Sequence, residues 1–144
     1  MAHETVVPVN SEVDRDVCKL VHHLARTLDA HVRRVAEQMS LTPSQVIALR
    51  ELSEPITARE LANRMACEAS NATFVLDRLE QQGLIQRRPH PTDRRAKQIV
   101  LTGAGQDRRL EALGLLDVRS PLTELDATQQ ESLRELLAAL LPKD

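Results

Sequence analysis

TARELANRMACEASNATFVLDRLEQQGLIQRRPHPTDRRAKQIVLT, residues 57–102, decides how the whole 144-residue chain reads. Thr57, with Glu60 three positions on, has the pattern of a capping box that opens a helix, and Leu61 and Met65 share one face of that helix. A tight connection over residues 66–69 leads to a second helix. Its apolar set, Ala72, Val75, Leu76 and Leu79, is spaced i, i+3, i+4, i+7. Gly83 stands where a glycine just past the C-terminus ends a helix. Two helices joined so closely make a helix-turn-helix. LIQRR (84–88) and AKQIVL (96–101) then read as strands, and PHPTDRR between them is too long for a tight hairpin, so it projects as a loop. The segment predicts a winged helix-turn-helix.

Outward from it the chain is helical. Val13, Val17, Leu20, Val21, Leu24, Leu28, Val32, Val35 and Met39 recur at steps of three and four, giving a long amphipathic helix over 12–39. Its length suggests packing against more than its own chain. Thr42, Pro43 and Gln45 are placed as N-cap, N1 and N3 of the next helix, which ends before Pro55. Beyond the wing, Thr102 caps a helix carrying Leu110, Leu113 and Leu116 and weakened by Gly103, Gly105 and Gly114. Asp126 with Gln129 caps a last helix carrying Leu133, Leu136, Leu137, Leu140 and Leu141. The expected fold is mainly α with a small β-hairpin wing. It is one domain over 1–144, with a winged lobe at 42–101 flanked by helices at 12–39 and 103–141.

Composition narrows the classes. Phe74 is the single aromatic, with no Trp or Tyr, which suits aliphatic helix packing better than an all-β fold. The longest apolar run, LLAALL (136–141), is far short of the ~20 residues a membrane span needs. The first residues, MAHETVVPVN, lack the basic and apolar regions of a secretion signal, and Cys18 and Cys67 form no C-x-x-C pair, so a cytoplasmic protein is expected. The net charge is −2, yet residues 56–101 hold eight Lys and Arg against five Asp and Glu, a local +3 on a body of −5. An acidic body with a basic segment points to a polyanionic partner.

With its apolar residues turned inward, the second helix of the motif shows Ser70, Asn71, Thr73, Phe74, Asp77 and Arg78. Short polar side chains near a helix N-terminus suit close approach to base edges in a major groove, and Asn offers adenine a two-point pair. Phe74 either touches a thymine methyl or folds back onto the wing. In the wing, Pro89 and Pro91 limit disorder before docking. Arg94 or Arg95 suits a narrow minor groove, with Asp93 holding one of them by an ion pair, and Arg87, Arg88 and Lys97 suit phosphates.

The motifs Asp77-Arg78-Leu79-Glu80 through Gly83-Leu84-Ile85, Arg87-Arg88 through Asp93-Arg94-Arg95, and Leu101-Thr102 resemble the central segment of the MarR family of transcriptional regulators. The resemblance extends over nearly the whole chain. It implies a homodimer joined by the outer helices that binds double-stranded DNA at a pseudo-palindromic site, mostly as a repressor. It also implies release by a small-molecule effector, often a phenolic anion. Carried over by position, Ser70, Asn71, Thr73 and Phe74 are base readers, Arg78 a phosphate contact, and Arg94 and Arg95 wing contacts. The Gly-rich TGAGQ and a short link between the last two helices depart from the family pattern and suggest a trimmed dimer interface. The lack of Trp and Tyr withdraws rings that often line the effector pocket.

Cys18 lies 24 residues before Thr42, a spacing similar to the peroxide-sensing branch of the family, and His22 follows at i+4, where an imidazolium would favour a thiolate. That branch activates its thiol with tyrosines, which this chain lacks, so a packed thiol is the competing reading. His22, His23 and His31 share a helix without a metal-ligand spacing, and no metal or cofactor is expected. With no phosphate-cradling loop and no nucleophile elbow, an enzyme is not expected. A winged-helix module that binds protein instead of DNA is the alternative, as is a regulator without an effector. An Arg94→Ala/Arg95→Ala variant is expected to lose DNA affinity in fluorescence anisotropy; unchanged affinity would remove the wing assignment.

Overall fold

The computed structural model describes residues 11–143. Six helices and a three-stranded sheet follow in the order α1 (Ser11–Met39), α2 (Pro43–Glu51), β1 (Ile56–Thr57), α3 (Ala58–Met65), α4 (Ala69–Gln81), β2 (Ile85–Pro89), β3 (Lys97–Leu101), α5 (Gly103–Asp117) and α6 (Ala127–Leu140). A 3-10 turn at Pro121–Glu124 joins the last two helices. The sheet is antiparallel in the order β1-β3-β2, with Ile56 opposite Ile99 and Arg88 opposite Gln98.

The helix starts are written locally. Thr42 and Asp126 each make a full capping box, with Gln45 and Gln129 returning the bond to the cap backbone. Thr57 makes half of one: its hydroxyl accepts from Glu60 N–H at 3.1 Å, and the Glu60 carboxylate does not reach back. A side-chain cap of this kind contributes about 1 kcal/mol. At the end of α4, Leu84 N–H bonds Leu79 C=O at 3.0 Å and Gly83 N–H bonds Glu80 C=O at 2.9 Å, with Gly83 at φ +73°. These two bonds close the helix through a left-handed residue, which is the role expected of Gly83. Ala66 takes the same left-handed conformation at the end of α3 (φ 53°) without a glycine's freedom.

Two apolar clusters organise the packing. Leu49, Leu52, Ile56, Leu61, Leu76, Leu79, Ile85 and Ile99 join α2, α3, α4 and the sheet. Val35, Ala36, Met39, Val46 and Ala112 join α1, α2 and α5. The α4 residues expected inside, Ala72, Val75, Leu76 and Leu79, are all buried.

Two features differ from expectation. Strand β1 is only two residues long, too short to carry a period of its own, and exists because Ile56 and Thr57 pair with β3. Helix α5 buries Gly105 and Ala112 rather than Leu110, which is 64% exposed. The reason is close approach: a Cβ on residue 105 would lie 1.9 Å from the Leu84 carbonyl oxygen, so only glycine fits. Thr102 fixes the same junction, its N–H bonding Leu84 C=O at 3.0 Å and its hydroxyl bonding Gly83 C=O at 2.7 Å. Further along α5, Arg108 bonds the Met39 carbonyl at the end of α1, and Arg109 bonds the Arg50 carbonyl of α2 at 3.3 Å. Cationic side chains at helix C-termini are electrostatically favoured.

Helix α6 leaves much of its apolar face open. Leu133 is half-buried, while Leu136, Leu137, Leu140 and Leu141 are exposed, as are Val17, Leu20 and Val21 of α1. Between the two helices runs an apolar groove of about 650 Å³ that includes Leu24, Leu28, Leu122, Leu133 and Leu137.

Gly105→Ala is expected to lower the unfolding free energy by about 1–3 kcal/mol or more through forced backbone displacement, while Ala66→Gly raises it by about 1 kcal/mol. Urea denaturation of the two variants checks the opposite signs.

Candidate nucleic-acid interface

Helix α4 presents the face that its apolar spacing leaves outward. Ser70, Asn71, Thr73, Phe74, Asp77 and Arg78 are all exposed. The Thr73 hydroxyl donates back to Ala69 C=O at 3.0 Å. Ser70 and Asn71 have no side-chain partner among the described residues, so their donors and acceptors remain open to a base edge. The helix N-terminus has no side-chain cap hydrogen bond from Glu68, whose carbonyl instead accepts from the Asn71 and Ala72 N–H groups at 3.0 and 3.2 Å.

Phe74 lies beside the start of α2, in a small cleft of about 190 Å³ with Thr42, Ser44, Gln45 and Arg78. The Arg78 guanidinium sits 5.3 Å from its ring centroid, a cation–π arrangement. The cleft contains no wing residue, and Phe74 is 61% exposed. Arg78 is thereby held over an exposed ring on the same face as Ser70 and Asn71.

The wing tip is shaped by His90 and Asp93. His90 Nδ1 accepts from the backbone N–H groups of Thr92 (3.2 Å) and Asp93 (3.0 Å), and His90 N–H bonds Ala96 C=O at 3.2 Å. Asp93 Oδ1 accepts from the Arg95 backbone N–H at 3.0 Å. The expected ion pair from Asp93 to a wing arginine is therefore replaced by a backbone bond, because the turn brings the amide of residue 95 nearer than either guanidinium. Asp93 shapes the tip. Arg94 and Arg95 are exposed, and neither guanidinium has a carboxylate partner among the described residues. Among the described residues the Arg88 guanidinium bonds Gln86 Oε1, at 3.1 Å, and Lys97 is exposed.

Arg87 departs from its expected role as a free phosphate contact. Its Nη2 meets Asp77 Oδ1 and its Nη1 meets Glu80 Oε1, both at 2.8 Å, and its side chain is 21% exposed. Arg59, absent from the motif reading, lines a cleft of about 280 Å³ with Thr57, Arg87 and Lys97 beside the sheet. Its only signal in the sequence is its position in the first turn of α3. Arg64 has a structural duty, bonding Glu54 at 2.6 Å and the Glu51 carbonyl at 3.1 Å. The hydrogen bond to Glu54 raises its pKa above the ordinary arginine value.

The cysteines and histidines resolve differently. Cys18 and His22 are exposed on α1 with no hydrogen bond between them, Cys67 is half-buried, and both cysteines are free. His31 is buried and bonds Leu116 C=O at 2.8 Å. It borders a cavity of about 300 Å³ between α1 and α5 with Arg34, Gln38 and Arg119. Among the described residues no three His, Cys, Asp or Glu side chains converge as a metal site would need.

Residues 41–97 match the model of the MarR family. The chain is 30% identical over 117 residues to the uncharacterized HTH-type transcriptional regulator YcgE of Bacillus subtilis, covering 79% of this chain and 71% of that one. The chain belongs to the MarR family. It is 26% identical over 131 residues to the organic hydroperoxide resistance transcriptional regulator of the same organism, covering 90% of this chain and 87% of that one. Across curated relatives it spans from 51% to 90% of their length. The crystal structure of apo MarR from Escherichia coli superposes with a TM-score of 0.69 at 25% identity, covering 86% of this chain and 96% of that one. As a MarR-family member the chain is a transcriptional regulator with a DNA-binding winged helix.

Asp93→Ala is expected to speed amide hydrogen exchange at residues 92–96 while moving global stability by no more than about 0.5 kcal/mol. Exchange mass spectrometry on the free protein reads both.

Proposed function

We propose that two copies of this chain pair through α1 and α6 and set their winged lobes into successive major grooves of a pseudo-palindromic operator, repressing transcription from it. One observation carries the DNA contact. Ser70 and Asn71 lie open on α4 and Arg94 and Arg95 lie unneutralised on the wing, in a chain where Arg50, Arg64, Arg87, Arg108 and Arg134 are held by carboxylates. Ser70, Asn71, Thr73 and Phe74 read bases. Arg94 and Arg95 enter the adjacent minor groove, and Arg59, Arg78, Arg88 and Lys97 meet phosphates. A two-fold protein fits a two-fold site with half-site centres about 34–36 Å apart. The pairing is supported by the exposed leucines of α6 and valines of α1, which leave a large apolar surface for a second copy.

Among the described residues no helix is long and apolar enough to cross a membrane, in keeping with action on cytoplasmic DNA. The cavity bordered by His31, Arg34, Gln38 and Arg119 suits a small anionic effector, and it lies against α5, which holds the end of α2. A second reading, release of DNA by oxidation, has its own support: Cys18 is exposed on α1, and a relative with 90% coverage of this chain is an organic hydroperoxide resistance regulator.

The test is selection of bound fragments from genomic DNA, followed by fluorescence anisotropy across salt concentrations, with sedimentation for the oligomeric state. A dimer that enriches a pseudo-palindrome is expected, losing about 10³–10⁵ in affinity between 50 and 200 mM salt if six to ten phosphates are contacted. A folded dimer that enriches nothing would favour a protein-binding winged helix. Peroxide treatment that releases wild type but not Cys18→Ser would establish the oxidative route; equal behaviour of the two would discard it.

A further inference from the structure

The wing and the recognition helix are joined by one side chain. Arg87 sits in the middle of β2, opposite Ile99, and reaches across to Asp77 and Glu80, which lie three residues apart on one face of α4. Each carboxylate takes a different terminal nitrogen at 2.8 Å, so the plane of the guanidinium is fixed at both ends. A lysine could not do this, because an ammonium is a point charge without a rigid fork.

This arrangement has two consequences for a surface that meets DNA. The angle and spacing between α4 and the hairpin are tied, so a helix in one groove and a wing tip in the next are set by a single geometry. Asp77 is also part of the exposed face of α4, and without a cation beside them Asp77 and Glu80 would hold two negative charges toward the phosphates.

We propose that Arg87 is a positioning residue for operator recognition: its fork to Asp77 and Glu80 sets the wing against α4 and cancels the two carboxylates, rather than contacting phosphate. This rests on the DNA-binding reading above. Both carboxylates are solvent-exposed and only the guanidinium is half-buried, so the ion pairs add little to folding stability, and urea denaturation of each variant separates the positioning role from folding.

The experiment is a cycle on the full chain with the selected operator. It compares wild type, Arg87→Ala, Arg87→Lys, Asp77→Asn/Glu80→Gln, and Arg87→Ala in the Asp77→Asn/Glu80→Gln background. Arg87→Ala is expected to weaken binding roughly tenfold in the native background, a middling coupling for residues in one ion-pair network. In the neutralised background the same change should matter about twofold or less, within the ordinary error of additivity. Arg87→Lys returns the charge without the fork and should recover only part of the loss, and in the neutralised background Arg87→Ala should leave the salt slope unchanged.

A phosphate contact would give the opposite pattern. The loss would be equal in both backgrounds, lysine would restore binding in full, and the salt slope would fall by about 1 in the neutralised background as well. Either that pattern or no effect of Arg87→Ala would overturn the proposal. A DNA-independent arm keeps the two readings apart. In the free protein, Arg87→Ala should speed hydrogen exchange across residues 86–98, and unchanged exchange would overturn the clamp. A wild type that binds no operator would overturn the DNA reading while this arm still decides whether Arg87 holds the wing.

Discussion

The carbonyl oxygen of Leu84 occupies the place where a side chain on residue 105 would begin. Much of the architecture depends on that contact. It lets α5 start directly against the turn that ends α4, and Thr102 sews the two together through the carbonyls of Gly83 and Leu84. The winged lobe is thereby joined to the helix that leaves it without a spacer. The same approach explains why α5 turns its small residues inward: Ala112, seven positions after Gly105, lies on the same face and enters the cluster with Val35 and Met39. A bulkier inner face would hold α5 off and open the cluster that it shares with α1 and α2.

Charge is arranged with similar economy. Several arginines are spent on architecture, at the C-terminal ends of α1 and α2 and in pairs with nearby carboxylates. The cations that remain open include Arg94, Arg95 and Lys97 on the wing and Arg59 beside it. An acidic chain can therefore still offer a cationic edge, because local pairing rather than net charge decides which groups face outward.

Much of this was legible in the sequence. Thr42 with Gln45, Asp126 with Gln129, and Gly83 each specify a helix boundary through bonds that span three to five residues, and all three stand where local chemistry puts them. The inward face of α4 and the outward row from Ser70 to Arg78 follow from the helical period alone. What was not legible depends on register or distance. Strand β1 exists through its partner, Gly105 reads as a weak helix residue until the backbone of Leu84 is placed over it, and His31 gains its role from Leu116, 85 residues away. The partners of Arg87 and Asp93 were misjudged for the same reason. Motif spacing identifies a basic loop, but only the turn geometry shows that Asp93 meets an amide and that Arg87 reaches the neighbouring helix.

Arg108 and Arg109 are adjacent on α5, yet they grip different helices, one at the Met39 carbonyl and the other at the Arg50 carbonyl. Successive helical residues point about 100° apart, so the pair works as a bracket with two arms at a fixed angle. Both bonds end on last-turn carbonyls, so one turn of α5 meets the C-terminal ends of α1 and α2 together. The end of α1, which runs along the α1–α5 cavity, and the end of α2, which precedes the helix-turn-helix, are thus tied to the same two residues of one helix.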